Sequence, residues 1–110
     1  MAAKKQTSNT VPMNVERIRV PLFPLGQCHG TYGAKEVLDD SNINPFDLLS
    51  WHETGDWGTL CEDDWDANVH AVQHGLRVFS SYRVGPDQTK VWVITEADRS
   101  ATMILLPEEY

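Results

Sequence analysis

The 110-residue sequence lacks several features that assign a chain to a class directly. It has no run of about 18 apolar residues, so we expect no membrane-spanning segment. Its first ten residues carry two lysines with no apolar run behind them, so we expect no secretory signal. Its two cysteines, Cys28 and Cys61, are too few for a disulfide framework. These absences predict a single reduced domain in the cytoplasm.

Motifs of nucleotide-dependent enzymes are missing as well. The sequence contains no P-loop and no G-x-G-x-x-G stretch. Carboxylates are abundant, but Asp63, Asp64 and Asp66 lie together at a predicted helix start, which does not define the two opposed carboxylates of a hydrolase. We therefore predict a protein that is not an enzyme and that holds neither a cofactor nor a metal ion.

Basic residues are absent from the middle of the chain. Residues 36–76 contain ten Asp or Glu and no Lys or Arg, within a net charge of −7 for the whole chain. Such a stretch repels the phosphates of nucleic acids and attracts basic proteins. We therefore expect a protein partner and no direct binding of nucleic acid, although a solvated surface that only keeps the protein soluble explains the same composition.

Three short runs rich in β-branched and aromatic residues dominate the C-terminal half. They predict an antiparallel three-stranded meander of Leu76–Val84, Thr89–Thr95 and Thr102–Leu106. The middle run is apolar on both alternating faces, which is typical of a strand covered on both sides. If the short helices cover only one face of the sheet, the other needs the N-terminal segment or a second copy of the chain, so a homodimer through the sheet is an alternative.

The helices are predicted before the meander, so the fold class is α+β. The expected ranges are Ala34–Asp40, Pro45–Glu53 and Leu60–His74. Asn44 and Pro45 favour the second start, and Thr59 with Glu62 has capping-box spacing for the third. The residues expected to face the core are Val37, Leu38, Phe46, Leu49, Trp51, Leu60, Trp65, Val69 and Val72.

The N-terminal part is predicted to be less regular. Residues 1–13 are polar and are expected to form a flexible tail, which leaves 14–110 as one α+β domain. Residues 15–21 alternate in a way that favours an extra edge strand, which Pro21 and Pro24 would end.

Two groups of residues are candidates for partner binding. The first is the acidic cluster Glu62, Asp63, Asp64 and Asp66, although the dipole of a helix start also favours acidic residues there. The second is the loop that contains Asp98 and Arg99, in which a pairing of Arg99 with Glu96 or Asp98 would be a purely structural role.

A zinc site or a thiol enzyme is the alternative from a different class. His70 and His74 share a helix face, but Cys61 is ~13 Å from His70 along the same predicted helix, which is too far for one shared ion. A nucleophilic pair of Cys28 or Cys61 with a histidine (His29, His52 or His70) would need a lowered thiol pKa.

Several fragments, considered together, resemble a known family. They are Pro21–Gly26, Gly55–Gly58 with Leu60–Asp63, Val91–Ser100 and Ile104–Tyr110. The set resembles small, functionally uncharacterised bacterial proteins carried on plasmids, integrative elements and prophages, over most of the chain from about residue 20. Some of those proteins bear the label "type I restriction endonuclease subunit M", which does not suit a chain without a glycine-rich cofactor loop.

The resemblance implies a mobile-element setting and no catalytic residues. The sequence therefore predicts a non-enzymatic interaction protein of a mobile genetic element. We expect it to bind a host or element-encoded protein, such as a defence or DNA-processing component, through its acidic surface.

Overall fold

The computed structural model describes residues 20–110. Within these residues, one strand is followed by three helices and then by three more strands. This α+β arrangement confirms the predicted class. The elements, in chain order, are β1 (Gln27–Gly30), α1 (Tyr32–Asp40), α2 (Pro45–Glu53), α3 (Glu62–His74), β2 (Val78–Val84), β3 (Thr89–Thr95), β4 (Ala101–Leu105) and a 3₁₀ turn (Pro107–Glu109). No helix in this part of the chain is both long and apolar enough to cross a bilayer.

The sheet has four strands in the order β1-β4-β3-β2. Strands β2, β3 and β4 form the predicted antiparallel meander, with Val93 opposite both Ser80 and Ile104. The prediction of three strands was incomplete, because β1 adds to β4 in parallel and makes the sheet mixed.

The predicted N-terminal edge strand is largely untested. The tail, residues 1–13, and most of the strand at 15–21 lie outside the described residues. Val20 and Pro21 are described and belong to no strand. The added edge strand is instead Gln27–Gly30, a sequence with neither alternation nor β-branched residues, whose extended form is set by pairing with the distant β4.

Local sequence signals account for the helix ends. The Thr31 hydroxyl accepts from the amide of Ala34 at 3.1 Å and caps α1. Asn44 caps α2 through a bond from the Phe46 amide at 2.9 Å, so α2 has its predicted bounds. The left-handed Gly75, with φ of 67°, ends α3.

The predicted capping box at the start of α3 was wrong. The helix begins at Glu62 rather than at Leu60, and its N-cap is Cys61, which makes no side-chain capping bond. Thr59 lies before the helix, and its hydroxyl donates to the carbonyl oxygen of Ser81 at 3.1 Å. Thr59, which local spacing assigns to the helix cap, is therefore bound to the sheet instead.

The main core lies between the sheet and the helices α1 and α2. Its fully buried members include Leu48 of α2 and Val91 and Val93 of β3. A second cluster packs α3 against the segment that precedes β1, and its buried members are Phe23, Trp57, Ala71 and Val78.

Two core assignments were wrong. Phe46 is 73% exposed and Leu48 is buried in its place, while Val69 is 45% exposed and α3 instead buries Asn68 and Ala71. Asn68 is buried because its side chain binds a strand: Nδ2 donates to the carbonyl oxygen of Phe79 at 2.6 Å, and Oδ1 accepts from the amide of the same residue at 3.0 Å.

Candidate functional site

The predicted acidic cluster lies on the first turns of α3. Glu62, Asp63, Asp64 and Asp66 are all exposed. At about 100° per residue, Glu62, Asp63 and Asp66 span one arc, opposite the arc of the buried Asn68 and Ala71. Asp64, about 200° round the helix from Glu62, falls on the same side as Asn68 and Ala71 although it is exposed. Three of the four carboxylates therefore share the outward side of the helix.

No cation neutralises this cluster within residues 20–110. The one ion pair found there joins Arg77 to Glu96 at 3.5 Å, and both residues come after α3 in the sequence. The ten carboxylates of residues 36–66 therefore stand without a Lys or Arg partner inside the described structure. Their field is directed into solvent, where it attracts positive charge.

The second predicted group is held largely by the fold. The Arg99 guanidinium donates through Nη1 to the carbonyl oxygen of Leu76 at 2.6 Å and through Nη2 to that of Ala71 at 3.0 Å. It also lies over the Phe23 ring, 5.3 Å from the centroid. Arg99 thus links the C-terminal end of α3 to the β3–β4 loop.

The expected pairing of Arg99 with Glu96 or Asp98 is not present. Arg99 binds main-chain carbonyls, and Glu96 pairs with Arg77 instead. Asp98 is exposed and accepts from the Ser100 amide at 3.0 Å. Hydrogen bonds from Ser100, first from its side chain and then from its amide, lower the pKa of Asp98.

The two predicted groups do not form one site. Arg99 binds α3 at Ala71, whereas the acidic cluster is centred on Asp63, eight residues earlier on the same helix. Eight residues of helix measure roughly 12 Å. Each group remains a separate prediction for partner binding.

The residues of the zinc and thiol alternative are also dispersed. His70 and His74 do share a face, with ring centroids 4.2 Å apart, and both cysteines are exposed. Among residues 20–110, however, no three His, Cys, Asp or Glu side chains come together in a geometry that could hold a metal ion.

A buried polar chain centred on His52 was missed by the sequence reasoning, which considered His52 only as the partner of a thiol. His52 has no exposed surface. Its Nδ1 lies 2.5 Å from the Ser80 hydroxyl and its Nε2 lies 2.9 Å from that of Thr95. Thr95 then meets the Thr102 hydroxyl at 2.6 Å, and Thr102 donates to the carbonyl oxygen of Leu25 at 2.7 Å.

The direction of the chain follows from its last bond. Because Thr102 uses its single proton on Leu25, Thr95 must donate to Thr102. Thr95 then accepts from His52, so the imidazole proton is on Nε2, and Nδ1 accepts from Ser80. Burial first, and the charge of Arg99 second, lower the pKa of His52 to about 3.

The Ser80–His52 pair resembles half of a hydrolytic triad but is not placed as one. Both residues are wholly buried, and the second imidazole nitrogen meets a hydroxyl where a triad has a carboxylate. A substrate atom could reach Ser80 only if the core opened. The arrangement instead supplies hydrogen-bond partners for the buried side chains of His52 in α2 and of Ser80, Thr95 and Thr102 in the strands.

A cleft of about 270 Å³ opens between β1, α1 and α2. Its wall is mostly apolar and includes Ala34, Leu38, Leu49 and Ile104, with Phe46 at the rim. Lys35 and Asp39 are its charged members, and Cys28 lies on the strand side. Partial burial first, and the Glu53 carboxylate second, raise the pKa of the Cys28 thiol.

Comparison of the chain with protein-family models, with curated proteins and with solved structures found no match.

Proposed function

We propose that this chain is a non-enzymatic protein-binding module of a mobile genetic element, and that the outward face of the α3 start binds a basic surface on its partner. The observation that carries the proposal is the absence of any cationic partner for the exposed carboxylates of residues 36–66 within the described structure. Unneutralised carboxylates on one side of a helix offer a complementary surface to Lys and Arg. The mobile-element setting rests on the resemblance of the fragments noted above.

Charge reversal of Asp63→Lys with Asp64→Lys tests the surface. The bait is the purified full chain, and the partner is captured from the native host and quantified by mass spectrometry. We expect the variant to lose the proteins that the wild type retains, and we expect wild-type capture to weaken as salt is raised.

The matched control is Asp87→Lys with Glu108→Lys. It changes the net charge equally at two exposed acids far from α3 in sequence, so it should capture the same proteins as the wild type. Capture that is indifferent to the Asp63 and Asp64 reversal, or to salt, would refute the acidic-surface proposal. The melting temperature of each variant shows whether a loss comes from unfolding.

A second candidate is a homodimer through the outer sheet face. That face carries a ladder of rings, with Phe79 and Trp92 centroids 5.0 Å apart and Trp92 and Tyr110 centroids 5.8 Å apart, and Met103 beside it is 37% exposed. Light scattering after size exclusion should then give twice the chain mass, and Met103→Lys should return a monomer.

A further inference from the structure

The fold covers one edge of its sheet at Phe79 and Ser81 and leaves the opposite edge open. At the outer edge of β2, Asn68 binds the backbone of Phe79. The next outward residue, Ser81, exchanges backbone bonds with Trp57 and Thr59 at 3.1 and 2.7 Å. At the opposite edge, all four residues of β1 are exposed. An uncovered strand edge is a template for pairing with another extended chain, which singles out β1.

The pairing of β1 with β4 identifies the free backbone groups. The amides of Gln27 and Thr31 both donate towards the β4 chain, at 3.0 and 2.9 Å. In a parallel pair, alternate residues bond to the same neighbour. Residues 27, 29 and 31 therefore face β4, whereas the N–H and C=O groups of Cys28 and Gly30 point away from the sheet.

The cleft lies where the side chains of an added strand would go. Cys28 and Gly30 are opposite Thr102 and Ile104 in the register, on the sheet face that packs against the helices. A strand paired with β1 continues the same alternation. The side chains on one face of that strand would therefore be on the side of the apolar cleft. Its volume of about 270 Å³, slightly below the range of ordinary small-molecule pockets, suits one of them.

Charge around the cleft distinguishes between occupants. Asp39 lines it and Asp47 follows the rim residue Phe46, with Lys35 as the one cation in the lining. A second copy of the chain would bring its own net charge of −7 to this acidic edge, and like charges oppose such pairing. A basic strand from another protein is favoured for the same reason.

We propose that β1 and its cleft bind an extended segment of a partner protein by strand addition, with one aliphatic or aromatic side chain in the cleft and Lys or Arg beside it. Backbone bonds to Cys28 and Gly30 supply affinity, and the cleft supplies selectivity. This surface is separate from the α3 start, so the proposal stands whether or not the acidic cluster binds anything.

A phage-displayed library of random dodecapeptides, selected on the full chain, supplies the probe. We expect the selected peptides to share alternating apolar and basic positions. A labelled synthetic copy, titrated by fluorescence polarisation, gives the dissociation constant. The bound peptide should also slow alkylation of Cys28 by iodoacetamide, while exposed Cys61 reacts at an unchanged rate and serves as the internal reference.

Two variants test the two parts of the site. A Cβ at Gly30 would meet only the Ile104 carbonyl oxygen, at 4.0 Å, so the backbone has room for a side chain there and Gly30→Val should occupy part of the cleft. Cys28→Pro removes one outward N–H, which an edge strand tolerates. Each should weaken peptide binding roughly tenfold or more, equivalent to about 1.4 kcal/mol.

The matched control is Gln27→Val, which places the same side chain on the opposite face of β1 and should bind the peptide as the wild type does. Three results would overturn the proposal: peptides that bind Gly30→Val and Cys28→Pro undiminished, a Cys28 that is already unreactive in the free protein, or a wild-type dimer that these two variants dissociate. The alkylation result uses the wild type and therefore holds even if a variant fails to fold.

Discussion

His52 donates its Nε2 proton to the hydroxyl oxygen of Thr95, 2.9 Å away. Both side chains lie in the core and are fully shielded from solvent. The direction of the hydrogen-bond chain places a proton on Nε2 whichever way the Ser80 hydroxyl is turned. Burial lowers the pKa of His52 to about 3, so the ring is neutral at pH 7 and its Nδ1 accepts from Ser80.

Stability should fall in mild acid because of this histidine. The pKa is near 6.5 in the unfolded chain and about 3 in the folded protein, so the unfolded state binds more protons between those values. The free energy of unfolding should drop by about 2 kcal/mol from pH 7 to pH 5 through this group alone. Urea unfolding at a series of pH values measures the drop. The NMR signals of the His52 ring should show the Nε2–H form and no titration down to pH 5; a ring that titrates near pH 6 would contradict the assignment.

Thr95→Val should destabilise the protein despite its similar shape. It removes the acceptor for His52 and the donor to Thr102, leaving two buried polar groups without their partner, at a cost of about 1–3 kcal/mol. Thr89→Val is the control on the same strand, because Thr89 is only half-buried and makes no side-chain hydrogen bond within residues 20–110. It should change the free energy of unfolding by less than about 0.5 kcal/mol.

Asn68→Ala should both destabilise the fold and expose the β2 edge. Two hydrogen bonds to Phe79 are lost, which should cost about 2 kcal/mol, and the freed strand groups should promote self-association at high concentration. Gln73→Ala, at an exposed position of the same helix, is the control. Sedimentation velocity with chemical unfolding separates the two effects, and a variant as stable and monomeric as the control would show that Asn68 does not protect the edge.

Two glycines that both have positive φ should respond differently to alanine. Gly58 has φ of 82°, and a Cβ there would lie 2.0 Å from the carbonyl oxygen of Ser81, whereas Gly75 has φ of 67° and open space around it. Gly75→Ala should cost roughly 1–2 kcal/mol from the backbone conformation. Gly58→Ala adds a clash with a strand and should cost more than about 3 kcal/mol. Equal melting temperatures for the two variants would contradict the close approach at Gly58.

Local patterns predicted the elements that depend on local chemistry. Asn44 and Pro45 predicted the start of α2, and the run of β-branched and aromatic residues predicted β3 with its bounds Thr89–Thr95. The strand β1 was missed because Gln27–Gly30 has no β-forming pattern of its own and becomes a strand through residues more than seventy positions later.

The buried polar residues were missed for a related reason. Hydrophobic periodicity assigns Val69 to the core of α3 and leaves Asn68 outside, but Asn68 is inside because two backbone groups of Phe79 need partners. His52 is buried because Ser80 and Thr95 arrive from two different strands. Such pairings join residues far apart in sequence, so no local window contains them. The acidic start of α3, by contrast, could be read directly from the sequence, and its carboxylates are exposed. Their role in partner binding stays a prediction.

The asymmetry between the two sheet edges limits how large any assembly built on the sheet can become. A strand added to β1 finds no equivalent site at β2, where Asn68 and Thr59 occupy the backbone groups of Phe79 and Ser81. Growth by repeated strand addition needs two open ends on every unit, whereas a unit with one open end terminates the series. Sheet pairing in this protein is therefore expected to stop at a one-to-one complex and to exclude filaments.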